Sequence, residues 1–367
     1  MLYLSLPVGD SWGAGVMGSN LVPALAKLTD IQLLAHLPIG HPLAQYIPKD
    51  YNPERPYATH HPVFHLAQGG ASFLPFQREV WSWNRNVGYA FIEFPKQAKL
   101  FLPHAERYYD VLIGGSTWCN DQIRAMGLIV PDEPAIQGID FSIFHPGPEQ
   151  PRNDGKFLIF SGGKAEFRKG TDLVIAAFKI LSQKYKDMHL IAAWGNHWID
   201  TMGSLSFSKH IKWIPTVGTT WKQRLQANLT LNGIMNDRYT LVDFMPNTEM
   251  VKLYRQCHLG VFPNRCEAGT NMVLTEAMAS GLPVVATATT GHSDVVNKDD
   301  AYCNIEGEFD ENEFFSPVLD SLVAEIESAY RDGECREGAG IAGAKHVSQF
   351  TWERCAKNIL QVCMQTF

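Results

Sequence analysis

The sequence predicts an α/β protein with two Rossmann-like, doubly wound domains, and three observations lead to this class. The chain has 367 residues, which is long for a single hydrophobic core. Predicted strands alternate with predicted helices along most of the chain, as in parallel sheets flanked by helices. A polar stretch rich in proline and glycine, residues 148–155, divides the chain and is predicted to be a linker.

The composition argues against several classes of protein. The chain is 45% hydrophobic and 19% charged, and its net charge of −7 without a lysine or arginine block argues against nucleic-acid binding. The seven cysteines are scattered without a C-x-x-C pair, which indicates reduced thiols. No apolar run approaches the length of a membrane span, and the N-terminus lacks the features of a signal peptide. We therefore expect a cytoplasmic protein, with peripheral membrane contact and the oligomeric state left open.

The first domain is predicted to cover residues 1–147. Its predicted strands are residues 1–7, 31–37, 62–66, 87–93 and 110–113, and its predicted helices are residues 20–28 and 116–126. The first strand opens on a predicted glycine loop, residues 9–18. An aromatic-rich stretch, residues 71–102, is predicted to be mainly core, with a sugar-stacking or membrane-facing rim as the alternative.

The second domain is predicted to cover residues 156–349. Its predicted strands are residues 157–161, 189–193, 239–243 and 259–262, followed by a strand from residue 282, and its first predicted helices are residues 172–184 and 248–256. Residues 196–237 fit the alternation poorly and are predicted to be an insertion or a long irregular connection. The last segment is predicted to be helical at residues 313–331, 338–349 and 352–364, and residues 350–367 are expected to form a separate C-terminal helix.

Residues 261–281 are the central element of the second domain. A buried strand leads into a loop that carries Glu267, and a capped helix containing Glu276 follows. Free backbone amides at the N-terminus of such a helix are a natural seat for a phosphate group. The residues that present these amides are Gly269, Thr270 and Asn271.

A second candidate element is the basic turn at residues 161–170. It follows a predicted strand and precedes a predicted helix, which is the edge where open α/β sheets bind ligands. Its candidate residues are Gly163, Lys164, Arg168 and Lys169. On its own, a solvated basic turn explains this stretch equally well.

Together the two elements resemble the retaining glycosyltransferases of family 4, which have the GT-B fold. The two glutamates resemble the acidic signature of that family, and Lys164 and Lys169 have the spacing of its G-R-x-x-x-x-K-G motif, with lysine in place of arginine. Residues 137–146, 291–296 and 350–353 resemble three further family motifs in the same order. The resemblance implies two domains that face each other across a cleft, with the C-terminal helix returning to the first domain.

The resemblance also implies roles for these residues. Lys164 and Lys169 would neutralise the diphosphate of a nucleotide sugar and stabilise the charge that grows as the sugar leaves, with Arg168 as a third contact. Glu276 would bind the ribose hydroxyls, and Glu267 would contact the transferred sugar. In the family no protein nucleophile is established, and the leaving phosphate is thought to help deprotonate the acceptor. No D-x-D motif occurs, so we expect no obligatory metal ion and no other cofactor.

Glu267 is where the chain departs from the family pattern. Eight residues separate Glu267 from Glu276, whereas the family has seven, so the loop is one residue longer. Ala268 would fill the first acidic position in an ungapped match. Nothing local in the sequence fixes the direction of the Glu267 carboxylate, and an acid on a surface loop is the alternative.

The first domain contributes weaker candidates. The G-x-G-x-x-G at residues 13–18 fits the dinucleotide fingerprint poorly, because five residues separate it from the strand and the next strand ends without an acid. In the family a glycine loop here faces the transferred sugar and the acceptor, and Gly15 aligns best with it. Glu93, at the predicted end of a strand, is an acceptor-side candidate or a structural salt-bridge partner. A metal site formed by His60, His61 and His65 is an alternative interpretation, but further ligands at the right spacing are missing.

The sequence therefore predicts a retaining, metal-independent, hexosyltransferase-like enzyme that transfers a sugar from a nucleotide-diphosphate donor to a hydroxyl group of a glycan, a lipid or a small molecule. Two alternatives remain: a nucleotide-sugar 2-epimerase of the same fold, and a non-catalytic protein that binds nucleotides or sugars. The donor base, the sugar and the acceptor are not specified, because base contacts in such folds are mostly made by the backbone.

Overall fold

The computed structural model describes residues 1–68, 70, 72–147, 155–297, 300 and 302–365. Residues 148–154 of the predicted linker lie outside this description. The chain divides into two compact units. The first comprises Met1–Asp140, Ala268–Met272 and Gln349–Phe367, and the second comprises Phe141–Glu267 and Val273–Ser348.

The first unit is built on a five-stranded parallel sheet with the strand order β2-β1-β4-β6-β7. The apolar, buried character of these strands is typical of parallel sheets that are covered on both faces. The elements of this unit up to residue 125 are β1 (Leu2–Ser5), α1 (Gly13–Ala26), β2 (Ile31–Leu33), β3 (Tyr57–Thr59), β4 (Val63–Leu66), β5 (Val80–Ser82), β6 (Asn86–Ala90), α2 (Pro95–Ala98), α3 (Leu102–Tyr108), β7 (Val111–Gly114) and α4 (Thr117–Ala125).

Two predicted boundaries in the first unit are wrong. The predicted glycine loop is largely helical, because α1 begins at Gly13. Gly18 lies so close to the Pro7 carbonyl oxygen that a Cβ atom would approach within 1.9 Å, so glycine allows α1 to pack closely on the segment that follows β1. The strand predicted for residues 87–93 ends at Ala90, and Glu93 follows it in an irregular segment.

The second unit is built on a parallel sheet with the strand order β10-β9-β8-β11-β12. After β8 the chain adds β9 and β10 on one side of β8, and it then adds β11 and β12 on the other side. The strand order therefore reverses between β8 and β11. Open α/β sheets bind ligands at such a reversal. The elements between residues 157 and 286 are β8 (Phe157–Gly162), α5 (Thr171–Lys184), β9 (Met188–Ala193), α6 (Trp221–Leu231), β10 (Tyr239–Leu241), α7 (Met250–Gln256), β11 (Leu259–Phe262), α8 (Met272–Ala279) and β12 (Val284–Ala286).

The stretch predicted to be irregular, residues 196–237, contains a 3-10 helix at Ile199–Phe207 as well as α6. The helix α6 begins with a capping box in which the Thr220 hydroxyl accepts from the Gln223 amide and the Gln223 side chain reaches back to Thr220. The prediction of an irregular connection was therefore wrong for these parts.

The C-terminal region completes both units. A small antiparallel pair, β13 (Gly307–Phe309) and β14 (Phe315–Pro317), precedes α9 (Leu319–Arg331), α10 (Gly333–Val347) and α11 (Trp352–Met364). The buried face of α11, including Trp352 and Ile359, shares a hydrophobic cluster with Met17 and Leu21 of α1, so the last helix packs in the first unit as predicted.

The predicted α/β class with two parallel sheets is confirmed. None of the described helices has the length and apolar character needed to cross a membrane.

Candidate active site

Two loops of the second unit meet where the strand order of its sheet reverses. One follows β8 and leads into α5, and the other follows β11. Gly170 has a φ of 69°, and a Cβ atom there would lie 2.2 Å from the carbonyl oxygen of Pro263. Only glycine allows this close approach with a left-handed backbone. The predicted basic turn and the predicted acidic loop are therefore neighbours.

The Glu267 carboxylate is held by cations from the basic turn. It forms an ion pair with the ammonium group of Lys169, and its Oε1 lies 3.4 Å from Nη1 of Arg168. The side-chain amide of Asn264 donates to the same oxygen, and the Glu267 backbone amide donates to the Thr290 hydroxyl at 3.0 Å. The expectation that nothing local fixes the direction of Glu267 is wrong, because Asn264, three residues earlier, holds the carboxylate together with the long-range partners Lys169 and Arg168. The surface-loop alternative is wrong as well, since Glu267 is only 4% exposed.

This arrangement keeps Glu267 ionised. Burial by itself would raise the pKa of this carboxyl group, but the positive charges of Lys169 and Arg168 lower the pKa to about 2. His292, which is fully buried, lies in the same electrostatic environment. Burial lowers the pKa of His292 to about 4, so its imidazole is neutral near pH 7, and Nδ1 donates to the carbonyl of Thr287 at 3.1 Å. The sequence analysis did not identify this histidine.

The longer loop is anchored by a buried salt bridge that the sequence analysis also missed. Arg265 forms two hydrogen bonds to the carboxylate of Asp172 in the first turn of α5, at 2.7 and 2.9 Å. Its guanidinium group also donates to the carbonyl of Phe167 and lies 3.7 Å from the centroid of the Phe167 ring. The Arg265 backbone amide donates to the carbonyl of Arg168 at 2.8 Å. Arg265 thus ties the loop before Glu267 to the turn that carries Lys169.

Arg168 and Lys164 occupy different environments in the basic turn. Arg168 is 3% exposed, donates to the carbonyl of Cys266 at 2.8 Å and pairs with Glu166 as well as with Glu267. Because its described contacts are to buried groups of the protein, we interpret Arg168 as a residue that orients Glu166 and Glu267. Lys164 is about one-third exposed and forms a 3.1 Å ion pair with Glu166. Gly163, with a φ of 109°, lies beside the Lys169 side chain.

Glu276 lies in a separate, nearly closed environment on α8. The side-chain amide of Asn247 is 2.9 and 3.0 Å from its two carboxylate oxygens, and the hydroxyl of Tyr254 donates to Oε2 at 3.2 Å. Burial raises the pKa of Glu276 to about 8, although both hydrogen bonds act in the opposite direction. The carboxyl group is therefore largely neutral at pH 7, in contrast to Glu267.

The comparisons with known proteins agree with this geometry. A sequence profile described as "Glycosyl transferases group 1" matches residues 147–346, more than half of the chain. The chain belongs to the glycosyl transferases group 1 family. The matched region contains the basic turn, both glutamates and their described partners.

The chain has curated relatives of low sequence identity and solved structural neighbours that superpose over nearly all of it. It is 21% identical over 238 residues to spore coat protein SA of Bacillus subtilis (strain 168), covering 61% of this chain and 56% of the relative. The chain spans about half the length of the curated relatives it matches. Sucrose-phosphate synthase from Thermosynechococcus elongatus superposes with a TM-score of 0.68 at 15% identity, covering 98% and 97% of the two chains. HepE of Anabaena, in complex with UDP-glucose, gives a TM-score of 0.63 at 14% identity over 99% of each chain. These neighbours confirm the predicted GT-B fold.

The remaining candidate residues belong to the first unit of the chain. Gly15 lies in the first turn of α1, where a Cβ atom would meet the Trp12 ring at 2.6 Å. Glu93 is half-buried, and its backbone amide donates to the carbonyl of Gly70 at 2.9 Å. The three residues predicted to present backbone amides also fall in this unit, within Ala268–Met272: Gly269, Thr270 and Asn271. Asn271 has a φ of 61°, and Thr270 is fully buried.

Two of the three histidines considered as metal ligands have ordinary packing partners. His65 is buried, and its Nε2 lies 3.1 Å from the side-chain oxygen of Asn86. His61 stacks on the ring of Tyr3 with a centroid distance of 5.8 Å. These contacts account for both side chains as parts of the first unit.

The neutral state of Glu276 makes stability depend on pH. The pKa of this group is about 8 in the folded protein against 4.5 for an ordinary glutamate, so the folded state retains a proton that the unfolded state loses. This contribution to the free energy of unfolding is fully present below pH 4.5 and is lost as the pH rises to 8, by up to about 1.4 kcal/mol per pH unit. Glu276→Gln removes it, so the variant should become steadily more stable relative to wild type between pH 5 and pH 8.

Urea unfolding at pH 5, 7 and 9 measures this effect. The exposed Glu249, which pairs with Lys252 on the surface, provides the control variant Glu249→Gln, and its urea midpoint should follow wild type at each pH. Midpoints of wild type and Glu276→Gln that change in parallel with pH would contradict the neutral state of Glu276.

Proposed function

We propose that this protein is a retaining glycosyltransferase that moves a sugar from a nucleotide-diphosphate donor to an acceptor hydroxyl. The observation that carries this proposal is the buried Lys169–Glu267 ion pair at the strand-order reversal of the second unit. A cation and an anion held side by side match a donor that combines a negative diphosphate with a hydroxyl-rich sugar. Membership of the glycosyl transferases group 1 family supports the same reaction class.

In this proposal the basic turn binds the leaving group. Lys169 keeps 14% of its side chain exposed and Lys164 keeps 33%, so both side chains are partly accessible to solvent. When the donor binds, the two ammonium groups would leave Glu166 and Glu267 and pair with the diphosphate. Their positive charge would then stabilise the anion that forms in the transition state. Positive charge from lysines takes the place that a metal ion has in other sugar transferases.

The two glutamates then have separate tasks. Glu267 is ionised and would accept hydrogen bonds from hydroxyls of the transferred sugar. Glu276 would bind the ribose of the nucleotide. In the chemical step, the bond between the sugar C1 atom and the diphosphate oxygen breaks. The acceptor oxygen then bonds to C1 on the same face, and the acceptor proton passes to the diphosphate. No protein nucleophile takes part in this scheme.

Uridine nucleotides are the first donors to test, because the Anabaena neighbour was crystallised with UDP-glucose. We expect one of UDP, GDP and ADP to raise the melting temperature well above the other two, since a ligand at a hundred times its dissociation constant adds about 2.7 kcal/mol of apparent stability. The corresponding sugar nucleotide should then release its nucleotide only when a hydroxyl acceptor is present. This release should persist in EDTA.

The outcomes separate the alternatives. Release of a 2-epimerised free sugar without an acceptor would identify an epimerase. Tight nucleotide binding with no turnover across a panel of glycosides, polyols and inositol phosphates would identify a binding protein. A product with the inverted anomeric configuration, determined by NMR, would reject the retaining assignment.

A further inference from the structure

The hydrogen bonds around Glu276 involve two residues that no sequence motif pointed to. Tyr254 lies in the middle of α7, is fully buried and packs against the rings of Phe160 and Phe144, at centroid distances of 5.2 and 6.1 Å. These contacts fix its ring, so its hydroxyl is aimed at Oε2 of Glu276 from the protein interior. Tyr254 has no freedom to turn away without leaving a cavity.

Asn247 approaches the same carboxylate from a more exposed position. It begins the 3-10 helix Asn247–Glu249 just before α7 and is only half-buried. Its side-chain amide spans both carboxylate oxygens, at 2.9 and 3.0 Å. One short segment, residues 247–254, therefore holds Glu276 from the interior and from the more open side.

The donor count shows what the carboxylate can still bind. A carboxylate accepts about four hydrogen bonds, two at each oxygen. The described donors place two on Oε2, from Asn247 and Tyr254, and one on Oε1, from Asn247. In its ionised form Glu276 thus keeps acceptor capacity on Oε1 while its orientation is already set, which is the preorganisation that favours binding of a hydroxyl donor.

We propose that Asn247 and Tyr254 are positioning residues that orient Glu276 toward the ribose of the nucleotide, and that they thereby set the preference for ribonucleotides over deoxyribonucleotides. The inference rests on the proposed function, because it takes the ribose role of Glu276 from there. A hydrogen bond to a carboxylate depends on the direction of its lone pairs. Loss of an orienting partner should therefore weaken the contact to the ribose hydroxyl and leave the contacts of the base and the phosphates intact.

The test compares the affinities of a nucleoside diphosphate and its 2′- and 3′-deoxy analogues by calorimetry, using UDP, GDP or ADP, whichever binds wild type most tightly. At pH 9, where Glu276 is ionised, wild type should bind the ribonucleotide at least about tenfold more tightly than one of the deoxy analogues, as expected for a charge-assisted hydrogen bond. In Tyr254→Phe and in Asn247→Ala this ratio should fall by about fivefold or more, while the affinity for that deoxy analogue stays within about twofold of wild type.

Tyr239→Phe is the matched control. Tyr239 is also buried in the second unit and also loses one hydroxyl hydrogen bond, to Asn236, which lies away from Glu276 in the chain. The ratio of ribonucleotide affinity to deoxyribonucleotide affinity in Tyr239→Phe should equal that of wild type.

The inference and the proposed function fail in different ways. If no nucleotide binds wild type, the proposed function is wrong and the inference falls with it. If wild type discriminates and both variants keep the full ratio, the positioning role is wrong while the proposed function stands. An equal loss of affinity for the ribo and deoxy forms would indicate a purely structural role and overturn the inference. Tighter ribonucleotide binding by Asn247→Ala would show that Asn247 blocks the carboxylate instead of orienting it.

Discussion

Replacing Lys169 with alanine is expected to lower turnover by about 10²-fold or more in a protein that still folds. In the proposed reaction, negative charge accumulates on the departing diphosphate, and removing a preorganised donor at such a position costs about 2.7–4 kcal/mol of transition-state stabilisation. Lys169 is held at this turn by its ion pair with Glu267, and donor binding would exchange that partner for the diphosphate. Steady-state transfer assays with the donor identified by the nucleotide panel measure the effect.

Two further variants make the Lys169 experiment specific. Lys179→Ala removes an exposed lysine from α5, the helix that follows the basic turn, and the turnover of this variant should equal that of wild type. Lys169→Arg keeps the charge but changes its shape, so it should recover part of the lost turnover. If Lys169→Ala turned over within twofold of wild type, with its fold confirmed by circular dichroism, the leaving-group role would be rejected.

Replacing Arg265 with methionine is expected to lower the free energy of unfolding by about 3–5 kcal/mol. The reason is that Asp172 is completely buried, and removing Arg265 leaves the Asp172 charge without this counter-ion and with the hydrogen bond from the Ser208 hydroxyl. The loop before Glu267 also loses its bonds to the Phe167 carbonyl and to Asp172. We therefore expect turnover to fall as well. Urea unfolding and transfer assays on the same preparation measure the two effects.

A double variant tests whether the cost comes from the unpaired charge. Arg265→Met combined with Asp172→Leu should recover a substantial part of the lost stability, because both charges of this pair are removed together. Lys184→Met is the control for a surface ion pair: Lys184 is about half-exposed beside Glu327, and its loss should cost no more than about 1 kcal/mol. A cost of less than 1 kcal/mol for Arg265→Met would show that the loop does not depend on this salt bridge.

Local patterns in the sequence were sufficient to predict the parallel α/β class and the β8–α5 and β11–α8 junctions. Apolar runs and glycines are local signals, and they report on strands and turns directly. The start of α1 was missed because three glycines weaken helix propensity, while the structure uses Gly18 for close packing on Pro7. The helix α6 did have a local signal, the T-x-x-Q of its capping box, which the alternation pattern obscured.

The partners of the candidate site could not be predicted in the same way. Arg265 and Asp172 are 93 residues apart, and Asn247 and Glu276 are 29 apart, so neither pair leaves a short motif. The extra residue in the Glu267 loop suggested an unconstrained carboxylate. Its orientation comes from Asn264 in the same loop and from contacts with the basic turn that only the folded sheet brings together.

The uncharged state of Glu276 has a thermodynamic consequence for the ligand that we propose. A ribose hydroxyl donates to a carboxylate better than to a carboxylic acid, so binding would favour the ionised form and expel the proton that Asn247 and Tyr254 otherwise enclose with it. Nucleotide affinity would then rise with pH up to about pH 8, with one proton released to the buffer for each nucleotide bound. The measured heat of binding would include the ionisation enthalpy of the buffer. The measured nucleotide affinity would depend on the pH as well as on the nucleotide.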